Sequence, residues 1–158
     1  MNRSLFVRLV SACVVGGAAL VMVPAAGAQI ITFSVTQASI SFADADPDTT
    51  PSITAANVTV NYAVSFTFGA NWRITVISGS NLTSGAASIP ISNVTWTATP
   101  VPPFQAGTMS TTVQQTLASG SGDVLITRVG TVVFRLANSW NYNVGTYSAT
   151  FTFTMSCP

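Results

Sequence analysis

The chain contains no histidine, no glutamate and no lysine. Without histidine the Ser-His-Asp and Cys-His arrangements have no base, and the commonest proton shuttle is missing. Without lysine there is no amine nucleophile, and zinc chemistry lacks its usual ligands. The four acids are Asp44, Asp46, Asp48 and Asp123. They show no sign of the pairing in which one carboxyl is held neutral beside another held ionised. The inventory therefore points away from an enzyme. Arginine is the only cation, and two of the five, Arg3 and Arg8, stand at the extreme N-terminus. Arg73, Arg128 and Arg135 are scattered and cannot make the continuous basic face that a phosphate backbone requires, so nucleic acid is not an expected partner.

Long apolar runs are also missing, with one exception. Residues 1–28 carry Arg3 and Arg8, then an apolar run over 9–23, then Pro24-Ala25-Ala26-Gly27-Ala28. A basic start, a short apolar centre and an A-x-A end are the marks of a secretory signal peptide, cut before Gln29. The run is shorter than the roughly 20 residues needed to span a bilayer and ends in proline and glycine, which argues against an anchor. Val10-Ser11-Ala12-Cys13 has the look of a lipidation site, but Arg8 leaves almost no apolar stretch ahead of it and a long one behind. The expectation is an exported chain, secreted or at the cell surface, with residues 29–158 forming one domain and no membrane span after processing. Cysteine is scarce as well: only Cys13 and Cys157 occur. With Cys13 in the leader, no internal disulfide is expected, and Cys157 near the C-terminus is a candidate for an intermolecular disulfide.

What the chain does have is alternation. From residue 57 to 68, Val58, Val60, Tyr62, Val64, Phe66 and Phe68 face one way and small or polar residues the other. That period of two marks a half-buried strand. The C-terminus repeats it, with Tyr147, Ala149, Phe151, Phe153 and Met155 opposite Ser148, Thr150, Thr152, Thr154 and Ser156. Weaker alternation covers 31–35, 40–42, 72–76, 89–98, 108–117 and 124–136, punctuated by Gly, Pro, Asn and Ser clusters. No helix is expected. The reading is an all-β, antiparallel, immunoglobulin-like Greek-key sandwich of seven to nine strands. Threonine suits the outer faces, because its branched Cβ favours extended backbone.

Sandwiches ordinarily guard their edge strands with charge. Here residues 29–43 and 136–158 carry none. Neutral alternating ends of this kind pair readily with another chain, so self-association or pairing with other surface subunits is expected. Two other sites are candidates. Asp44, Asp46 and Asp48 stand at alternate positions, which in an extended segment turns three carboxylates toward one side, as for a calcium ion; the competing reading is a solvated loop, since the glycine and glutamate of a calcium-binding helical hand are missing. Trp140, Asn141, Tyr142 and Asn143 alternate flat rings with amides, the combination that stacks on a sugar and bonds its hydroxyls. Against that, each of Trp72, Trp96 and Trp140 is expected to fill space between sheets.

The segment from Tyr142 through Asn143-Val144-Gly145-Thr146-Tyr147 to Ser156 resembles the last strand of bacterial fimbrial subunits and of spore coat protein U-like domains. The resemblance implies a Thr-rich sandwich joined to its neighbours by strand donation, with residues 29–42 as the donated strand. Many fimbrial subunits carry a disulfide inside the domain, and residues 29–158 of this chain, with Cys157 as their one cysteine, depart from that.

Overall fold

The computed structural model describes residues 30–65 and 71–157. The expected leader, Cys13 and Gln29 lie outside the described residues, as do Phe66 and Phe68.

The alternation becomes two antiparallel sheets packed face to face. The first runs in the order β1 (Ile30–Val35), β4 (Val58–Ser65), β11 (Val124–Ala137), β8 (Val94–Thr99), β9 (Gly107–Thr108), with β3 (Ser52–Thr54) on the end of β11. The second runs β10 (Gln115–Ser121), β5 (Asn71–Ser78), β12 (Tyr147–Ser156), β6 (Leu82–Ser84), β7 (Ala87–Ile89), with β2 (Ser39–Phe42) beside the first half of β12. Within β4, Val58, Val60, Tyr62 and Val64 are buried and the residues between them half-buried. β12 does the same with Tyr147, Ala149, Phe151, Phe153 and Met155. Each large apolar side chain so buried contributes on the order of 1.5–3 kcal/mol, which makes the seam between the sheets the main stabilising element.

Among the described residues twelve strands form where seven to nine are expected, because two expected strands divide and two short ones have no visible pattern. The segment 89–98 breaks at Pro90, which has no N–H for a ladder. The chain instead passes through a single 3-10 turn, Ile91–Asn93, before β8 begins. The segment 108–117 breaks at 109–114, where Ser110 Oγ accepts the backbone N–H groups of Thr112 and Val113, both at 3.1 Å. Such side-chain turns compete with the ladder. Conversely, the glycine-rich stretch 119–122 stays in β10 as far as Ser121, and only Gly122 takes a positive φ of 76°.

Between β1 and β2 the chain changes sheets. Thr36 holds the corner: its N–H donates to Thr59 O at 3.0 Å and its Oγ1 accepts from Thr59 N at 3.0 Å. Gln37 Nε2 donates to Ala56 O. Of the expected donor strand 29–42, the described residues 30–42 pair within this chain, β1 on β4 and β2 on β12.

Candidate functional site

The change of sheet leaves a gap. β2 pairs with β12 only from Tyr147 to Thr150, in the register Tyr147 opposite Phe42 and Thr150 opposite Ser39. From Phe151 to Ser156, β12 pairs with β5 on its other side. In an extended strand the N–H and C=O of one residue share a side, and the side alternates along the chain. Thr150 O accepts from Gly79 N on the β5 side, while Phe151 N donates 2.8 Å to Ala38 O on the opposite side. By the same alternation the backbone groups of Phe153 and Met155 point away from β5. No ladder among the described residues meets them there.

Beside that bare edge lies the inner face of β1. Ile31, Phe33 and Val35 alternate correctly toward the core but are only half-buried, whereas their counterparts on β4 are buried. They pack against the core from its margin. The reason is geometric: β1 belongs to one sheet, β12 to the other, and between Phe151 and Ser156 no strand among the described residues closes the seam. Cys157 follows directly, half-buried against the same core.

The second candidate region is the end of the sandwich where β11 hands over to β12. Asn138 ties two loops together. Its Nδ2 donates to Ala45 O at 2.9 Å and Thr50 O at 3.0 Å, and its backbone N donates to Pro51 O. The loop it grips carries Asp44, Asp46 and Asp48, and their alternate spacing is not kept in an extended form. Thr49 N and Thr50 N both donate to Asp46 O, so the segment turns. Each carboxylate then takes a different partner: Asp44 Oδ1 accepts from Gly145 N at 3.3 Å, Asp46 Oδ1 from Asp48 N at 2.9 Å, and Asp48 Oδ1 from Trp140 Nε1 at 3.1 Å. Among the described residues no three acidic, histidine or cysteine side chains gather as metal ligands. The expected calcium triad is therefore not assembled.

The aromatic loop is also divided. Trp140, expected between the sheets, is 68% exposed, and its indole N–H is fixed by Asp48. Trp72 and Trp96 are buried as expected. Tyr142 turns inward, half-buried, and its hydroxyl accepts from Asn93 Nδ2 at 2.9 Å. Asn141 and Asn143 are exposed, and Asn143 O accepts from the buried Tyr147 hydroxyl at 2.9 Å. The four residues thus present one outward ring with two amides, and Tyr142 braces the loop from below. Replacing Asn138 by the isosteric aspartate removes two donors and sets a carboxylate against two carbonyls. The expected cost is about 1–3 kcal/mol, read in denaturant melts, with a change in Trp140 fluorescence as the loop loosens.

At the opposite end, β1, β4, β5, β10, β11 and β12 all have a terminus. The registers Ile30 with Ser65, Asn71 with Ser121, Val124 with Val64 and Arg73 with Ser156 bring these termini level. Between Val124 and Arg128 the ladder to β4 skips, so Leu125, Ile126 and Thr127 are displaced from it. Leu125 and Ile126 are exposed to 74% and 75%. Arg128 lies near Tyr62: burial raises that phenol's pKa, and the guanidinium charge partly offsets the rise.

Sequence reading finds the Trp140 loop but not the half-open edge, nor the row Ile31, Phe33, Val35 as a partly bare surface. Their neutrality is visible in the sequence, whereas their exposure depends on which strand lies beside them. Among the described residues no helix is long and apolar enough to cross a membrane. No family model matches the chain, and neither a curated protein nor a solved structure matches it.

Proposed function

We propose that the protein is a non-enzymatic, exported subunit of a surface fibre or coat, and that its copies join by pairing a strand of one onto the bare edge of β12 in the next. One observation carries this reading: the backbone groups of Phe153 and Met155 that point away from β5 meet no ladder among the described residues, and they lie beside the half-buried row Ile31, Phe33 and Val35. An added strand would satisfy the backbone groups, which favour pairing, and would cover the row, which favours burial. The edge is undefended, because no charged residue occurs after Arg135 and edges without charge pair with other chains. The leader-like pattern of residues 1–28 supports export of such a subunit. The resemblance of the last strand to fimbrial and coat protein U-like domains points the same way.

The test is to charge the edge without touching the core. Thr152 and Thr154 lie on the half-buried outer side of β12. Thr152→Lys with Thr154→Lys is expected to leave the circular dichroism spectrum unchanged and to reduce the size of filaments or large oligomers of the processed chain, seen by size-exclusion chromatography and electron microscopy. Oligomers of unchanged size from the doubly charged chain would sink the edge-pairing reading.

A further inference from the structure

The two ends of the sandwich differ in a way that the edge of β12 does not explain. Of the exposed large apolar residues among those described, Val113, Trp140 and Val144 lie toward one pole, and Ile30, Leu125, Ile126 and Val129 toward the other. Val101 follows the end of β8, where Thr99 pairs with Thr131. Val113 belongs to the first pole because Ser110, three residues earlier, accepts from Ser78 N at that end of β5, and Gln115 pairs with Val76.

Charge follows the same division. Asp44, Asp46 and Asp48 are all at the Trp140 pole. Arg73 and Arg128 are near the Leu125 pole, where Asp123 is the one acidic side chain among the described residues. Arg135 sits on the face of the first sheet toward the acidic pole, its guanidinium on Thr97 Oγ1. The long sides between the poles present mainly threonine, serine and asparagine. One molecule therefore carries an acidic pole with exposed apolar groups and a basic pole with exposed apolar groups.

We infer that copies of this chain dock end to end, the pole of one bearing Asp44, Asp48, Trp140 and Val144 meeting the pole of the next bearing Leu125, Ile126, Arg73 and Arg128. The inference rests on the self-assembly reading above and names a second contact surface for it. A second copy fits because each pole supplies what the other lacks, and two identical poles would set like charges together, which is costly at an interface. Joining unlike surfaces gives a heterologous contact that repeats along a line instead of closing into a dimer. The aliphatic bulge of Leu125 and Ile126 supplies apolar surface to bury, and Trp140, held in place by Asp48, supplies a rigid ring to bury it against. The arginines and aspartates set orientation, and they act over no more than about 8–10 Å at physiological salt.

Charge reversal and its rescue test this on the processed chain, residues 29–158, followed by sedimentation velocity at low and physiological salt. Arg73→Glu with Arg128→Glu is expected to weaken association roughly tenfold or more, and Asp44→Arg with Asp48→Arg to do the same. The chain carrying all four changes has the poles exchanged and is expected to recover association to within about threefold of the starting protein. A merely structural role for these residues predicts no such recovery. Leu125→Ser with Ile126→Ser is expected to weaken association at both salt concentrations. Reversals without effect, or four changes that fold and do not recover, overturn the inference. So does a chain that stays monomeric and binds polysaccharide through Trp140. The two contacts separate cleanly: loss with Thr152→Lys and Thr154→Lys but not with the reversals leaves edge pairing standing and removes the pole contact, and the opposite result removes edge pairing.

Discussion

Replacing Phe134 by alanine is expected to cost about 3–5 kcal/mol, the range for truncating a buried aromatic. Whole domains are held by only about 5–15 kcal/mol. Phe134 lies on β11, the central strand of the first sheet, and none of it is exposed. Its ring meets Trp96 in its own sheet at 6.2 Å between centroids, and Phe151 and Phe153 of β12 at 4.9 and 6.4 Å, the latter two edge-on. It is therefore the point at which the two sheets grip each other. Edge-to-face pairs of this kind add about 0.5–1.5 kcal/mol beyond area burial, and the flanking rings are themselves pinned by their strands, so the cavity has little means of closing. Thermal melting should shift down by roughly 10–25 °C. A drop under about 1 kcal/mol would mean that Trp96 and Phe151 close over the gap, and that the aromatic cluster is less rigid than its geometry implies.

The second large effect concerns a residue with no side chain. Gly130 lies on β11 at an inward position, in step with Val132, Phe134 and Leu136, where the alternation calls for a large apolar group. By strand propensity alone, Gly130→Val should stabilise the domain by up to about 1 kcal/mol. The structure reverses the sign. A Cβ at position 130 would fall within the ring of Phe104, which is buried and arrives from the loop after β8. Phe104 fills the space because β8 pairs with β11 only from Thr131 onward, leaving the earlier part of β11 to be covered from elsewhere. Valine at 130 must expel that ring or push β11 outward, and overpacking of this kind costs about 1–3 kcal/mol. Denaturant melts of Gly130→Val, Phe104→Ala and the double variant decide the matter. The double variant should be more stable than the sum of the single losses, since removing the ring makes room for the valine. Strict additivity would mean the two positions do not compete for one volume. Gly107 against Trp96 and Gly120 against Trp72 repeat the arrangement, so three glycines in strands serve as seats for aromatic rings.

These glycines show where local reading ends. The stretch 119–122, rich in glycine and serine, reads as a turn, yet Gly120 remains in β10 beneath the buried Trp72, because a ring supplied by β5 takes the place of its missing side chain. The Trp140 loop fails in the other direction. A large aromatic is expected in the core, but Trp140 interrupts no alternating run, and Asp48, 92 residues away in sequence, holds it at the surface. Asp44, Asp46 and Asp48 look convergent only if the segment is extended; the turn closed on Asp46 O sends their side chains to three different partners. Cys157 is plain in the sequence as one of two cysteines, while its place at the end of the half-covered edge is not.

By itself the sequence determined the class of fold, two-faced antiparallel strands, and which side of β4 and β12 turns inward, because side-chain direction in a strand has a period of two and is written in adjacent residues. It also determined the chemistry that is missing, since absent side chains cannot be restored by folding. The tertiary structure alone decided which strands are neighbours, and with that the half-covered edge of β12, the bare row Ile31, Phe33 and Val35, and the unlike poles. Strand order is set by contacts between segments far apart in the chain, where one neighbour gained or lost turns a buried residue into an exposed one without changing any local pattern.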